Sequence, residues 1–249
     1  VSLQLVANVI RLVLLEPQEK AFVRDTSAWL AALGTRFVVA VGRRDSDSPQ
    51  LWQRFQLTDD TFMLSSPRGF VQVNWEVNRR LIAHVLEGAA ARSVRTFLDA
   101  YAGSGNFALP LARRGLSGLA VESNASAVAP LREAARRQGL TGVEVVVADA
   151  AAHANVLGRQ GQRFDLVLVD PPRAGLGAGL EPLAHLAQRW FVVCSCNPVT
   201  LARDLARLVR LGFELQELCA FDMFPQTHHL ETVAWLRAPA DDHEPSRQQ

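Results

Sequence analysis

The sequence predicts an α/β protein built on a doubly wound, mostly parallel sheet, closed by an antiparallel C-terminal strand pair and preceded by a small α/β piece. Three observations predict it. From Val94 onward, short apolar runs alternate with helical patterns, the arrangement that generates βαβ units. A glycine loop, Gly103-x-Gly105-x-x-Ala108, follows the first run and opens a helix, as in folds that bind ligands beyond the carboxyl ends of parallel strands. Acidic residues also recur where the runs stop, at Asp99, Glu122, Asp149 and Asp170.

Residues 1–60 read as a small accessory region that carries no chemistry. Val1–Leu15 is apolar with polar interruptions and fits strand or helix equally. Lys20–Leu33 has a helical pattern stopped by Gly34, Arg36–Val41 is β-rich, and Arg43–Gln50 is a polar loop. Residues 61–90 read as a connection. Phe62–Leu64 and Phe70–Val73 are expected as short strands joined by the turn Ser65-Ser66-Pro67-Arg68-Gly69. Asn74 or its neighbour then caps a helix through Val77, Leu81, Ile82, Val85 and Leu86.

Residues 91–237 form the expected main domain. Its strands are Val94–Asp99, Leu119–Val121, Val143–Val147, Phe164–Val169 and Trp190–Val193. A helix follows the glycine loop through Arg114. Ala125–Gln138 is amphipathic, with Val128, Leu131 and Ala135 inside and Arg132, Arg136 and Arg137 outside, and ends at Gly139. In the last helix Leu201, Leu205, Leu208 and Leu211 form one stripe with Arg203, Asp204, Arg207 and Arg210 opposite, and Gly212 stops it. Phe213–Phe221 and Thr232–Leu236 are the antiparallel pair. Residues 238–249 are a polar tail, expected to be mobile.

The 249 residues suffice for one large domain or one domain plus a smaller piece, and 49% hydrophobic with 20% charged residues is ordinary for a globular chain. A net charge of +1 makes no global case for nucleic acid, so any RNA surface must be a local basic patch. Lys20 is the only lysine, a bias that suits genome composition better than function. The three cysteines include no C-x-x-C pair, which argues against a disulfide framework, a zinc site or an iron–sulfur cluster and fits a reducing cytoplasm. No apolar run reaches membrane-spanning length and no signal peptide is evident. The chain opens on Val1 rather than Met, so a preceding portion is expected.

Chemistry concentrates at Val193-Cys194-Ser195-Cys196-Asn197-Pro198. The apolar strand ends in two cysteines, and Asn197-Pro198 forces a turn before a helix. A thiol at that strand end is accessible, and the helix N-terminus favours its thiolate. Two buried core cysteines are the plain alternative. The glycine loop admits two ligands. With Glu122 about 20 residues on, it satisfies the dinucleotide fingerprint. Asp99, just before the loop, is a poor neighbour for a pyrophosphate and a good one for a cation such as S-adenosylmethionine. Asp149 fits an adenine-amino acceptor or a solvated strand end. Asp170-Pro171-Pro172-Arg173 places a rigidly held carboxylate at the crevice, suited to a base or cofactor contact. Gln72 and Asn74 read as a strand-end amide and a helix cap. His228-His229-x-Glu231 suggests no metal site, because adjacent strand residues point to opposite faces.

Several stretches together resemble one family, the S-adenosylmethionine-dependent RNA uridine C5-methyltransferases, which make 5-methyluridine in tRNA or rRNA. They are Phe70-Val-Gln72-Val-Asn74, Leu98-Asp99-Ala-Tyr101-Ala-Gly103-Ser-Gly105-Asn106-Phe107, Val121-Glu122, Asp170-Pro-Pro-Arg173-Ala-Gly175, Ser195-Cys196-Asn197-Pro198-Val-Thr200-Leu-Ala-Arg203-Asp204 and Asp222-Met-Phe224-Pro225-Gln-Thr227-His228-His229-Leu-Glu231. They span roughly residues 62–237 in the family's order, and the last two are the most specific. The resemblance implies a Rossmann-like methyltransferase sheet. It also implies that Gln72, Tyr101, Asn106, Glu122, Asp149 and Asp170 contact the methyl donor or target base. Asp99, Gly103 and Gly105 join the donor side, and Asn74, Asp170, Pro171 and Arg173 the substrate side. Cys196 is implied as nucleophile and Glu231 as proton-abstracting base.

Those residue types suit the reaction. Uracil C5 is too weak a nucleophile to take a methyl group directly, and thiolate addition at C6 makes it an enolate carbon. A carboxylate must then remove the C5 proton, and elimination frees the cysteine. The target nucleotide is expected to leave its stack.

Within these 249 residues the sequence offers neither the N-terminal RNA-binding domain the family usually carries nor the four-cysteine iron–sulfur site of some members, and Ala102 and Ala135 stand where Cys and Asn are common. Cys194 is an extra thiol. The two-cysteine RNA cytosine C5-methyltransferases are therefore one alternative, a decayed RNA- or partner-binding module a second, and a nicotinamide oxidoreductase a distant third. The expectation is a cytoplasmic monomer acting on tRNA or rRNA, with no membrane, metal or cluster.

Overall fold

A computed structural model describes residues 52–67, 69–223 and 230–240, together with residue 49 and three N-terminal strands. The strands β1 (Ser2–Val6) and β2 (Val9–Leu14) pair antiparallel, and β3 (Arg36–Val41) joins β2 in parallel. The apolar opening stretch is therefore strand. The helix expected at 20–33 lies outside the described residues.

A hairpin follows, β4 (Gln53–Thr58) and β5 (Thr61–Ser65), turning at Asp59–Asp60. The sequence reading found β5 and overlooked β4, whose Phe55 and Leu57 are buried while Arg54 stays exposed. The strand expected at 70–73 is absent. That segment is a lead-in without ladder pairing, and Phe70 and Val73 are 75% and 74% exposed. Its apolar alternation mimics a strand without a partner surface to bury it. Asn74 then caps α1 (Trp75–Ala91), accepting from the Val77 N–H at 3.2 Å.

The main sheet has seven strands: β6 (Thr96–Ala100), β7 (Ser117–Glu122), β8 (Val143–Val147), β9 (Phe164–Val169), β10 (Ala187–Ser195), β11 (Glu214–Phe221) and β12 (Glu231–Arg237). Their spatial order is β11-β12-β10-β9-β6-β7-β8. The five strands from β8 to β10 run parallel, whereas β12 is antiparallel to both β10 and β11. The connecting helices are α2 (Ala108–Arg113), α3 (Ala125–Arg137), α4 (Ala150–Arg159), α5 (Leu180–Ala184) and α6 (Pro198–Arg210). The chain grows from β6 toward β8 on one side and returns through β9 on the other. This topological switch opens a crevice beyond the carboxyl ends of β6 and β9.

Alternation along the strands feeds two cores. Phe97, Leu166, Val192 and Trp235 pack under α1, α2, α3 and the hairpin. Leu98, Val167, Phe191 and Val193 pack under α4, α5 and α6. Gly88 lets α1 lie against the Trp235 ring, since a Cβ there would come within 2.5 Å of it. Among the described residues, no helix is long and apolar enough to cross a membrane.

Candidate functional site

One side of the crevice is built from strand ends. Asp99, the fourth residue of β6, is fully buried; its Oδ2 accepts from the Ala108 N–H at 2.9 Å and caps α2. Among the described residues, its Oδ1 is buried with no hydrogen-bond partner. Burial holds this carboxyl well above the usual range against the pull of the Ala108 N–H, and Asp170 and Glu122 push it further up. A buried carboxyl raised this far holds its proton unless a cation faces its unpaired oxygen. Glu122, at the end of β7, fastens the glycine loop: Oε2 accepts from the Gly103 N–H at 2.9 Å, and Oε1 from the Asn124 N–H at 2.8 Å. Oε1 also accepts from the Ser123 hydroxyl at 3.2 Å, so the lone pair left for a ligand hydroxyl is on Oε2. Gly105 has φ +93° and sits against Leu131 and Leu109, so no side chain fits there.

Tyr101 takes φ +66°, rare outside glycine. Burial raises its hydroxyl pKa, and nearby Asp149 and Asp204 add to the effect. Asp149 is exposed and caps α4, its Oδ1 accepting from the Ala152 N–H at 2.8 Å. Asn106 is part-exposed and pairs with Asn78 of α1, while Gln72 lies part-exposed in the lead-in to α1.

The other half of the crevice follows from the antiparallel register. Ser195 pairs with Thr232, and the Thr232 hydroxyl donates to the Ser195 carbonyl at 2.8 Å. Cys196, one residue beyond β10, and Glu231, the first of β12, therefore emerge side by side from strands about 4.8 Å apart. Cys196 is half-buried and Glu231 buried. Burial raises the Cys196 thiol, Glu231 raises it further, and the Arg173 guanidinium hydrogen-bonded to it pulls it back. Burial, aided by Asp170, pushes Glu231 up to about 8 against Arg173. Asp170 keeps some exposure at the crevice, but the protein around it pushes it up to about 6. Cys196, Glu231, Asp170 and Arg173 thus share one electrostatic neighbourhood, with Asp99 linked through Asp170. Pro171 is buried behind them.

Cys194 differs. It is 1% exposed in the core, and burial, then Asp170, Glu231 and Asp99, push its thiol well above the ordinary range. The histidines at 228–229, with the rest of 224–229, lie outside the described residues.

Sequence reasoning placed Asp204 on a solvated face, and the structure corrects this. Asp204 is 1% exposed and accepts from the Leu176 N–H at 2.8 Å. Most of the polar face of α6 grips the loop after β9. Asn197 Nδ2 and Thr200 Oγ1 donate to the Arg173 carbonyl at 3.2 Å each, Arg203 to Ala174 O at 2.8 Å, and Arg207 to Gly177 O at 2.7 Å. The signal was present as polar residues at 197, 200, 204 and 207, helical spacing for one face. Asn78 was also missed. It is a fully buried amide in the apolar stripe of α1, three residues before Leu81.

The family model described as tRNA (Uracil-5-)-methyltransferase matches residues 47–239. A 23S rRNA (uracil(1939)-C(5))-methyltransferase RlmD of Shewanella sp. (strain ANA-3) is 39% identical over 186 residues, 72% of this chain and 41% of that protein. The RlmD of Aeromonas hydrophila is 40% identical over 176 residues, 71% of this chain and 40% of that one. The chain spans about two fifths of the length of the curated relatives it matches. Among solved structures, the Pyrococcus abyssi tRNA (uracil-54, C5)-methyltransferase in complex with S-adenosyl-L-homocysteine is similar at 28% identity and TM-score 0.69, over 92% of this chain and 56% of that one. The Synechocystis magnesium protoporphyrin IX methyltransferase shares the fold alone, at 16% identity and TM-score 0.52 over 68% of this chain and 85% of that one.

Proposed function

Because this chain belongs to the tRNA (uracil-5-)-methyltransferase family, we propose that it is the catalytic portion of an enzyme that methylates C5 of a uridine in tRNA or rRNA from S-adenosylmethionine, through a covalent Cys196–C6 adduct. The observation that carries the reading is the Ser195–Thr232 register, which sets Cys196 beside Glu231 at the mouth of the crevice.

The crevice fits the donor on its own chemistry. The unpaired Asp99 oxygen and the carboxylates around it suit a cation, and Glu122 suits a ribose hydroxyl. Gln72, Tyr101, Asn106 and Asp149 complete the donor side. Bound S-adenosylmethionine supplies an electrophilic sulfonium methyl. Arg173 favours the Cys196 thiolate, which adds to C6 of the flipped uracil and leaves C5 as an enolate carbon able to accept the methyl. Glu231, as carboxylate, then takes the C5 proton, the C6–S bond breaks, and the thiolate returns. Asn74, Asp170, Pro171 and Arg173 form the base-facing wall.

The reading includes the domain boundaries at 60, 90 and 237, a monomeric cytoplasmic protein and no metal in the reaction. Incubation with RNA carrying 5-fluorouridine at the target tests it. C5 then has no proton to lose, and a denaturant-stable protein–RNA adduct is expected. Persistence of that adduct in Cys196→Ala would rule out the assigned nucleophile.

A further inference from the structure

The apolar stripe of α1 runs through Leu81, Ile82 and Val85, all 1% exposed. Asn78 precedes these residues by three, four and seven positions, so it occupies a core position of the same stripe. A primary amide in such a place is costly unless fully paired. Here it is paired with a single residue 28 positions away. Asn78 Nδ2 donates to Asn106 Oδ1 at 2.9 Å, and Asn106 Nδ2 donates back to Asn78 Oδ1 at 3.0 Å.

The two partners differ in surroundings. Asn78 is 0% exposed, whereas Asn106 is part-exposed on the loop between Gly105 and α2. The reciprocal pair uses one N–H and one lone pair of each amide, leaving Asn106 a second N–H and a second lone pair. The turn carrying Asn106 is thus held from two sides. Asp99 grips the Ala108 N–H from the sheet, and Asn78 grips Asn106 from α1. Phe107, at the start of α2, makes no side-chain capping bond, so these two contacts add to the hold of Glu122 on the Gly103 N–H. The helix that presents Asn78 also begins at the lead-in bearing Gln72 and the exposed Phe70 and Val73.

We propose that Asn78 is a positioning residue for the methyl donor: by pairing with Asn106 it fixes that amide in the donor pocket and joins α1 rigidly to the glycine loop. The inference rests on the donor reading above. It makes two claims. Asn78 acts on donor binding without touching the donor, and it acts only through Asn106.

Calorimetric titration of the whole chain with S-adenosyl-L-homocysteine tests both, on wild type, Asn78→Ala, Asn106→Ala and the double variant. Each single variant is expected to bind about tenfold more weakly, the scale of losing one or two neutral hydrogen bonds. The double variant is expected to bind no more weakly than the worse single one. In turnover, Asn78→Ala is expected to raise KM for S-adenosylmethionine while kcat at saturating donor changes little. Asn78→Leu keeps the volume, drops the amide, and stands in if the alanine variant does not fold. A folded Asn78 variant that binds within about twofold of wild type overturns the proposal, as do strictly additive losses in the double variant, which mark a purely structural role. If wild type itself fails to bind, the donor reading falls and takes this inference with it.

Discussion

Under the proposed reaction, Glu231 must hold no proton when the C5 hydrogen leaves, yet its setting favours the protonated acid. Burial and Asp170 together push it from the ordinary 4.5 to about 8, with Arg173 only partly opposing them. In the donor-free protein at neutral pH, the carboxylate is the minority form. The Cys196 thiol is raised as well, by burial first and then by Glu231. Both groups must lose a proton to act, so the rate of complete turnover is expected to climb with pH through about 8 and to go on climbing beyond the ordinary thiol value of 9.0. A profile that is flat between about pH 6 and 9 would sink the assignment of Glu231 as base. Glu231→Gln should leave addition and methyl transfer intact but block proton removal. The RNA is then expected to remain covalently attached to Cys196 after a single turnover on an ordinary uridine target.

At the scale of elements, α6 serves as a clamp as much as a connection. Its N-terminus emerges directly from the cysteine segment, and its polar face holds the loop that carries Asp170 and Arg173. Asp204→Ala leaves the buried Leu176 N–H unpaired, at an expected cost of about 1–3 kcal/mol, measured by chemical denaturation. Asp204→Asn, which keeps an acceptor, should cost less. Loosening the loop also moves Arg173 from the thiol, so alkylation of Cys196 should shift to higher pH in the alanine variant. Unchanged stability and unchanged alkylation would show that the clamp does nothing.

This clamp also marks the limit of what the sequence makes legible. The strands at Val143–Val147 and Phe164–Val169 fall where their apolar runs, each interrupted by one acidic residue, predict them, and Asn197-Pro198 does start a helix. Helix α4 was passed over because Ala150–Arg159 is built mainly of small residues and buries only Ala150, Ala154 and Leu157, too few to draw a stripe. The family resemblance implies that Cys196 and Glu231 flank one pocket, but their adjacency depends on β12 running antiparallel beside β10, which no local pattern encodes. The Asn78–Asn106 pair and the Asp204–Leu176 bond are likewise long-range. A polar residue on an amphipathic helix looks solvated until its partner is known.

Taken as a whole, the molecule concentrates negative charge at one end of its sheet and holds it partly protonated. Asp170 is raised from 3.8 to about 6 and Glu231 from 4.5 to about 8, while Asp99 is raised by burial. For each group the folded pKa lies above the unfolded one. Its contribution to stability is therefore fully present below the unfolded value and is lost as pH rises through the folded value. For Asp170 and Glu231 together, the window runs from about pH 4 to about pH 8, opposite in sense to the acid lability of salt-bridged carboxylates. A cationic donor reverses the balance, because a positive charge beside these carboxyls favours their ionised forms. Donor binding at neutral pH should then expel protons, seen as a binding enthalpy that varies with the ionisation enthalpy of the buffer. The same linkage makes the rise in Tm at a fixed donor concentration larger at pH 8 than at pH 6. Equal shifts at the two pH values, with no buffer dependence of the enthalpy, would mean that the carboxylates do not sense the donor's charge and that the cation lies elsewhere.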